Sequence, residues 1–438
     1  MMLTMGVNTM TKCLYAAGLM LLLWAIPVSA AIFVQCPTST DGVNITWNAY
    51  DKLDDRNGDG ILRADTLFDN GDGQGAIPEI QDALYSNQVC LHLAAGDGFV
   101  DMADGTEQYL FSFANATDPK FYNEAAPDYE SVMSAFALGA NFPAPTIHVR
   151  EGDHVYLSLS NVGMVMRPDL PDPHTVHWHG FPNASAVFDG VPDASISIGM
   201  GATLTYYYHV VEPGTFLYHC HVEATEHMQM GMLGNLYVEA INGSGGDTLL
   251  DGTPVASFPG YAYNGSGNYG YDIDVPLQIQ SFDPDFHDAN LNVQPLPFAA
   301  MEDRFPMLNG RGYPDSADAS ADLSAIHPTN GDKSTMSSRI VANVGERILL
   351  RISSLSTTSF HTLTVLGLPM EVIGVGSRAV PEPYYTQSVN IGGGESIDVL
   401  IDTSTATAGT YYLYTTNLEH LANHGEDYGG MMTEIELN

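Results

Sequence analysis

His174-Thr175-Val176-His177-Trp178-His179-Gly180 and, further along, Tyr218-His219-Cys220-His221 decide how this chain is read, together with His227 and Met232 downstream. In an extended strand, alternate residues share a face. His177 and His179 therefore point one way. His219 and His221 also share a face, and Cys220 points to the opposite one. One short strand can then serve two different metal sites on its two sides. Cys220, His227 and Met232, with His174 from the earlier strand, form the ligand pattern of a type 1 (blue) copper centre: a thiolate and two imidazoles in a trigonal set, with a weak axial thioether. Met228 and Met230 lie nearer His227, but the loop pattern points to Met232. A buried free Cys beside surface histidines is the bland alternative. Six histidines, one Cys and one Met gathered in two short stretches argue against it. Zinc is the rival metal, but a closed zinc site prefers Cys/His sets without Met, which favours copper.

The rest of the chain reads as β-structure. Glycine is abundant, β-branched and aromatic residues are dense, and turn signals recur at short spacing. Ala144-Pro145-Thr146-Ile147-His148-Val149-Arg150-Glu151-Gly152-Asp153 leads into the alternating Val155-Tyr156-Leu157-Ser158-Leu159, a strand, a turn and a second strand. The pattern then repeats. Gly345-Glu346-Arg347-Ile348-Leu349-Leu350 echoes Gly152-Asp153-His154-Val155-Tyr156-Leu157, and Phe360-His361-Thr362-Leu363 echoes Pro173-His174-Thr175-Val176. Gly409-Thr410-Tyr411-Tyr412-Leu413-Tyr414 echoes Gly214-Thr215-Phe216-Leu217-Tyr218 with one extra residue. A repeat of about 190 residues predicts two copies of one all-β fold. The expected organisation is a leader over 1–30, an acidic Gly-rich extension over 31–87, a copper-binding β domain over 88–241, a linker over 242–270 and a second β domain over 271–438.

The two histidine motifs resemble those of multicopper oxidases, and the repeat resembles their cupredoxin domains, over most of residues 89–438. The resemblance implies two cupredoxin-like Greek-key β-sandwiches and a trinuclear copper cluster fed by the blue copper. Carried over residue by residue, it assigns His177 to a type 2 copper and His179, His219 and His221 to a type 3 pair, with electrons passing through Cys220 to His219 and His221. Asp189, in Asp189-Gly190-Val191-Pro192, is similar to the family's acidic residue that assists proton delivery. A turn-forming Asp before Gly is an equally open reading. The architecture is also similar to two-domain copper nitrite reductases, but their catalytic Asp falls at His177, and His221 is unexpected there.

The second domain departs from the family pattern. Aligning the repeats sets Thr364 and Leu366 against His177 and His179, and Thr415 and Asn417 against His219 and His221. Only His361 keeps a ligand position, that of His174, and the second domain has no Cys. His420 and His424 lie in the loop that would approach the site, with Glu426 and Asp427 beyond; replacement ligands and solvent-facing loop histidines are both open readings. Met164, Met166, Met431 and Met432 read as soft ligands or as packing. His92, His148, His154, His209, His287 and His327 read as structural or surface residues.

The resemblance thus implies a copper oxidoreductase that takes single electrons from a small-molecule or metal-ion donor and delivers them to a second copper site and to oxygen. Two-domain relatives form trimers with active sites between subunits, which implies a homotrimer. The stripped second domain supports a different class, a non-enzymatic electron carrier or copper-binding protein. A scaffold role is a third reading, against which the retained ligands argue.

Composition and targeting bound the setting. Lys plus Arg number 14 against 52 Asp plus Glu, a net charge of −38. Such a field repels nucleic acid and anionic membranes and attracts cations. Lys12 followed by an apolar run to Val28 and the small residues Val28-Ser29-Ala30 reads as a secretory leader, which predicts a secreted or periplasmic protein with no membrane span. Cys13 falls in that leader. Cys36 and Cys90 can pair in an oxidising compartment, closing a loop that would stabilise by about 4 kcal/mol. Within the extension, Asp55-Arg56-Asn57-Gly58-Asp59-Gly60 resembles the first half of a calcium loop, with oxygen ligands at Asp55, Asn57 and Asp59. Thr66 stands where such a loop wants an acidic residue, so an ordinary acidic turn is an equal alternative.

Overall fold

A computed structural model of the chain describes residues 51–54, 61–64, 88–117, 129–241, 258–264, 269–318 and 336–438. Residues 1–30, Cys36, the candidate calcium residues Asp55, Asn57 and Asp59, and His327 lie outside the described residues. Cys90 is disulfide-bonded, and its partner also lies outside them.

The first sandwich is built from β1 (Gln88–Asp101), β2 (Glu107–Asn115), β3 (Thr146–Arg150), β4 (His154–Gly163), β5 (His177–His179), β6 (Thr203–His209), β7 (Gly214–His219) and β8 (Leu233–Glu239). One sheet runs β2-β1-β4-β6 and the other β5-β7-β8-β3. Both mix parallel and antiparallel pairs: β1 with β4 and β3 with β8 are parallel, the rest antiparallel. Two short strands of the extension, Asp51–Asp54 and Ile61–Ala64, pair with each other, the first also beside β1 and the second beside β3. They join the two sheets along one side.

Alternation builds the core between the sheets. Val155, Leu157 and Leu159 of β4 meet Phe111 and Phe113 of β2, Phe216 and Tyr218 of β7, and Leu236 and Val238 of β8. Trp178, between His177 and His179, turns inward and stacks on Tyr208 with centroids 3.9 Å apart and planes within 6°. Its burial is what sends its two histidine neighbours outward.

The second sandwich comprises β9 (Ile273–Phe282), β10 (Phe305–Leu308), β11 (Ile340–Ala342), β12 (Arg347–Ser354), β13 (His361–Val365), β14 (Met370–Val375), β15 (Arg378–Thr386), β16 (Val389–Ile391), β17 (Glu395–Asp402), β18 (Gly409–Thr415) and β19 (Met432–Leu437). Its sheets run β10-β9-β12-β17-β14-β15 and β11-β19-β18-β13-β16. Residues 258–264 and 269–271, mostly within the expected linker, pack on its outer face through Ala262, Tyr263, Tyr269 and Tyr271 against Leu349, Ile373 and Leu400. Among the described residues, three α-helices decorate the two sandwiches: α1 (Tyr129–Phe136), α2 (Ala224–Gln229) and α3 (Pro284–Leu291). No helix among the described residues is long and apolar enough to cross a membrane.

Buried polar contacts tie the sandwiches together. Arg351 of β12 is fully buried; its Nε donates to Asp274 at 2.9 Å and its guanidinium lies 4.6 Å from the ring of Tyr237 on β8. Asp398 of β17 accepts from Thr215 Oγ1 of β7 and from Tyr263 OH, each at 2.5 Å. Ser377 Oγ donates to the Thr215 carbonyl at 2.6 Å. The strand that leads to Cys220 is therefore held at its start by the second sandwich. Arg351→Ala removes the charged hydrogen bond to the half-buried Asp274 and the contact with Tyr237, and is expected to destabilise the protein by about 1.5–3 kcal/mol in denaturant titrations.

Candidate metal centres

Two sites lie back to back at the end of β7. Cys220 follows the last residue of that strand, with its sulfur in the core. Its Sγ is 3.2 Å from His227 Nδ1 and 4.0 Å from His174 Nδ1, and all three residues are fully buried. The Thr175 N–H donates to the same sulfur at 3.4 Å. His174 is fixed by two backbone bonds to Ile198, and His227 by α2, which begins after Glu223 in the left-handed region. The chain then turns at Gly231, with φ +112, where a Cβ would meet the Phe111 carbonyl at 3.0 Å. That turn brings Met232 back, its N–H donating to the His227 carbonyl at 2.8 Å and its carbonyl accepting from Cys220 N–H at 3.1 Å. Met232 is fully buried.

The electrostatics suit a thiolate. Burial opposes ionisation of Cys220, but His227 and His174 beside the sulfur outweigh it and hold the thiol well below its usual range. Burial likewise opposes charge on His227, yet Cys220 and Asp172 raise its pKa to about 10. Without a metal, thiolate and imidazolium neutralise each other. A softer cation set among two imidazoles, a thiolate and a thioether would take the place of that proton, and the donor set matches copper. Sequence reading missed Asp172, whose Oδ2 lies 3.8 Å from His227 Nε2 and can orient that ring from behind. No motif marks it; only the fold brings it there.

On the other side, His177, His179, His219 and His221 line a cavity of about 340 Å³. His179 Nδ1 is 3.3 Å from His219 Nε2, and the His177 ring centroid is 5.2 Å from those of both His219 and His221. Ligand atoms of His177, His179 and His219 lie within 4.8 Å of one another. Two tautomers are set by carbonyls. His177 Nδ1–H donates to the Asp189 carbonyl at 2.6 Å, and His219 Nδ1–H to the Cys220 carbonyl at 2.8 Å, which leaves each Nε2 with a lone pair able to bind a metal. Asp189 also places its carboxylate 3.5 Å from His177 Nδ1. Gly190 is obligatory there, since a Cβ would meet the Val176 carbonyl at 2.2 Å. Burial and neighbouring imidazoles lower the pKa of His179, and burial lowers that of His177 despite Asp189. His219 falls to about 3 because burial outweighs the rest.

The second sandwich of the same chain covers one side of this cavity with Leu355, Ser356, Thr357, Gly393 and Gly394. None is an imidazole. Strand register corrects the repeat alignment in one respect. His177 pairs with His219 across β5 and β7, and Thr364 pairs with Tyr414 across β13 and β18. Tyr414 and Thr416, rather than Thr415 and Asn417, therefore occupy the positions of His219 and His221. The extra residue is absorbed after the strand, so Thr415 takes the place of Cys220. The loop histidines also divide. His424 is exposed, but His420 is buried against His361, with ring centroids 4.9 Å apart, and lines neither site described above.

Family models described as Multicopper oxidase match residues 122–243 and 288–430. The chain is 25% identical over 285 residues to L-ascorbate oxidase of Cucurbita pepo var. melopepo, covering 63% of this chain and 46% of that protein. It is 26% identical over 297 residues to copper resistance protein A of Pseudomonas syringae pv. tomato, covering 65% and 45%. The chain thus spans about half the length of these curated relatives. Among solved structures, the blue copper oxidase of Nitrosomonas europaea superposes with a TM-score of 0.57 at 22% identity, covering 80% of this chain and 85% of that one. That likeness bears on the fold.

The buried neutral histidines make a pH prediction for the metal-free chain. His219 titrates near 3 when folded and near 6.5 when unfolded, so the unfolded chain binds the extra proton between those values. Its contribution is complete above pH 6.5 and is lost as pH falls toward 3. The stability of the wild type relative to His219→Asn should drop on acidification by up to about 1.4 kcal/mol per pH unit, read from urea titrations at several pH values.

Proposed function

Because the chain belongs to the multicopper oxidase family, we propose that it is an exported copper-dependent oxidoreductase. In this reading His174, Cys220, His227 and Met232 hold a type 1 copper, and His177, His179, His219 and His221 hold a second copper site of type 2/type 3 character. The observation that carries the proposal is the position of Cys220, buried between two imidazoles while its chain neighbours His219 and His221 face the other cavity. When bound, copper supplies one-electron redox chemistry at the first site and open coordination positions for oxygen at the second.

The protein's own groups supply the rest. Cys220 and its two peptide bonds form a continuous covalent route between the sites. The buried shell of Phe111, Met230 and Val176 keeps water from the thiolate. The Asp189 carboxylate, partly exposed beside His177, is placed to hold and deliver protons. The acidic surface favours approach of cationic donors, so the electron donor is a small molecule or a metal ion. The leader and the Cys90 disulfide support a secreted or periplasmic setting.

The missing imidazoles call for a neighbour. Among the described residues of the second sandwich, His424 is the exposed histidine. A homotrimer in which each cavity meets the second sandwich of the next copy would bring that residue class to it. Sedimentation analysis should return three times the chain mass for the copper-loaded protein.

The catalytic reading predicts that His177→Ala/His179→Ala lowers oxygen consumption by more than about 100-fold, beyond the 10–100-fold typical of outer partners, and keeps the blue absorbance. Cys220→Ser should remove that absorbance and the activity together. One copper per chain with no oxygen consumption by the wild type would leave the electron-carrier reading in its place.

A further inference from the structure

The second sandwich reproduces the backbone of the buried cysteine site with one substitution. Thr415 N–H donates to the Met431 carbonyl at 3.0 Å, as Cys220 N–H does to Met232 at 3.1 Å. Met431 N–H donates to the His420 carbonyl at 2.9 Å, as Met232 N–H does to His227 at 2.8 Å. Gly430, at φ +67, makes the turn that Gly231 makes in the first copy. His361 pairs with Ile391 as His174 pairs with Ile198. The His361 and His420 rings are 4.9 Å apart at 46°, and those of His174 and His227 are 5.2 Å apart at 55°. The loop between the second histidine and the methionine is longer here, yet it closes on the same hydrogen bonds.

Three of the four donors survive. His361, Thr415 and Met431 are fully buried and His420 is 7% exposed. His361 Nδ1 is buried with no hydrogen-bond partner, while its Nε2 is fixed by Ser356 Oγ at 2.8 Å. In the first copy it is the Nδ1 of the matching His174 that faces the sulfur. His420 Nδ1 lies 3.5 Å from Asn417 Nδ2. Asp303 lines the same cavity as His420, and both its carboxylate oxygens are buried without a partner. A buried carboxylate without a partner, in a cavity shared with imidazole donors, is a place prepared for positive charge. A cavity of about 460 Å³, lined by Asp303, His420 and His424 among others, gives access from outside.

We propose that His361, His420 and Met431 form a separate, thiolate-free site for one copper(I) ion, with Asp303 as its counter-charge. Two imidazoles and a thioether without an anionic sulfur favour the soft, monovalent ion over copper(II). The site lacks a thiolate and so adds no blue absorbance. The inference rests on the second sandwich alone and stands apart from the oxidase reading.

The test is anaerobic titration of the full chain with copper(I) against a chromogenic copper(I) chelator. Met431→Leu and His420→Gln should each lower the tightly bound copper(I) by about one equivalent per chain and leave the native blue band intact. Unchanged stoichiometry in both folded variants would overturn the proposal. Thr415→Cys supplies an independent, gain-of-signal readout. In the Cys220→Ser background it should restore a thiolate-to-copper(II) charge-transfer band, and in the otherwise native chain it should about double that band per chain. A folded, colourless Cys220→Ser/Thr415→Cys protein would show that the donors do not converge. Failure of the oxidase reading appears elsewhere, as a wild type that consumes no oxygen.

Discussion

The alternation of side chains at the end of one strand is the constraint on which this protein depends. Cys220 can point into the core only if His219 and His221 point out of it. The inward residue finds His174 and His227; the outward pair finds His177 and His179, which are turned outward by the burial of Trp178 between them. A slip of one residue in the pairing of β5 with β7 would put the thiol in the open cavity and the imidazoles in the apolar core. The register is held from both ends. Thr215 is bound to Asp398 of the second sandwich, and Cys220 N–H to the Met232 carbonyl.

The two halves show how far one backbone can be kept while its chemistry changes. The main-chain hydrogen bonds from Cys220 and Met232 are matched by those from Thr415 and Met431, because they serve the sheet and the returning loop whatever the side chains are. Thr415 keeps a small side chain at the fully buried position of Cys220 but lacks the thiolate donor that gives a blue site its character. The outward face of β18 has diverged further. Tyr414 and Thr416 replace imidazoles there, so the second sandwich offers a wall, and no ligands, to the four-histidine cavity.

Electrostatics work at two ranges. At long range, the net charge of −38 draws cations to the surface. At short range, burial lowers the pKa of His174, His177, His179 and His219 and so favours the neutral form that binds a metal. Only His227 is driven toward the charged form, by the thiolate beside it.

The residues of both domain 1 sites, the all-β class and the duplication were legible in the sequence, because strand alternation and ligand spacing are local properties of the chain. Three features were not. The substitution of Thr415 for Cys220 emerged from cross-strand pairing, since the residue gained by the repeat is absorbed beyond β18 and linear alignment misplaces it. The roles of Asp172 and Asp303 carry no motif; each is brought to its histidines by packing between segments distant in sequence. His420 read more safely as a solvent-facing loop residue than as a replacement ligand, and its burial against His361 was decided by the loop that returns Met431 to the sheet. Sequence alone determined which donors the chain owns. Tertiary structure decided which of them meet, because convergence depends on the register and loop closure of strands far apart along the chain.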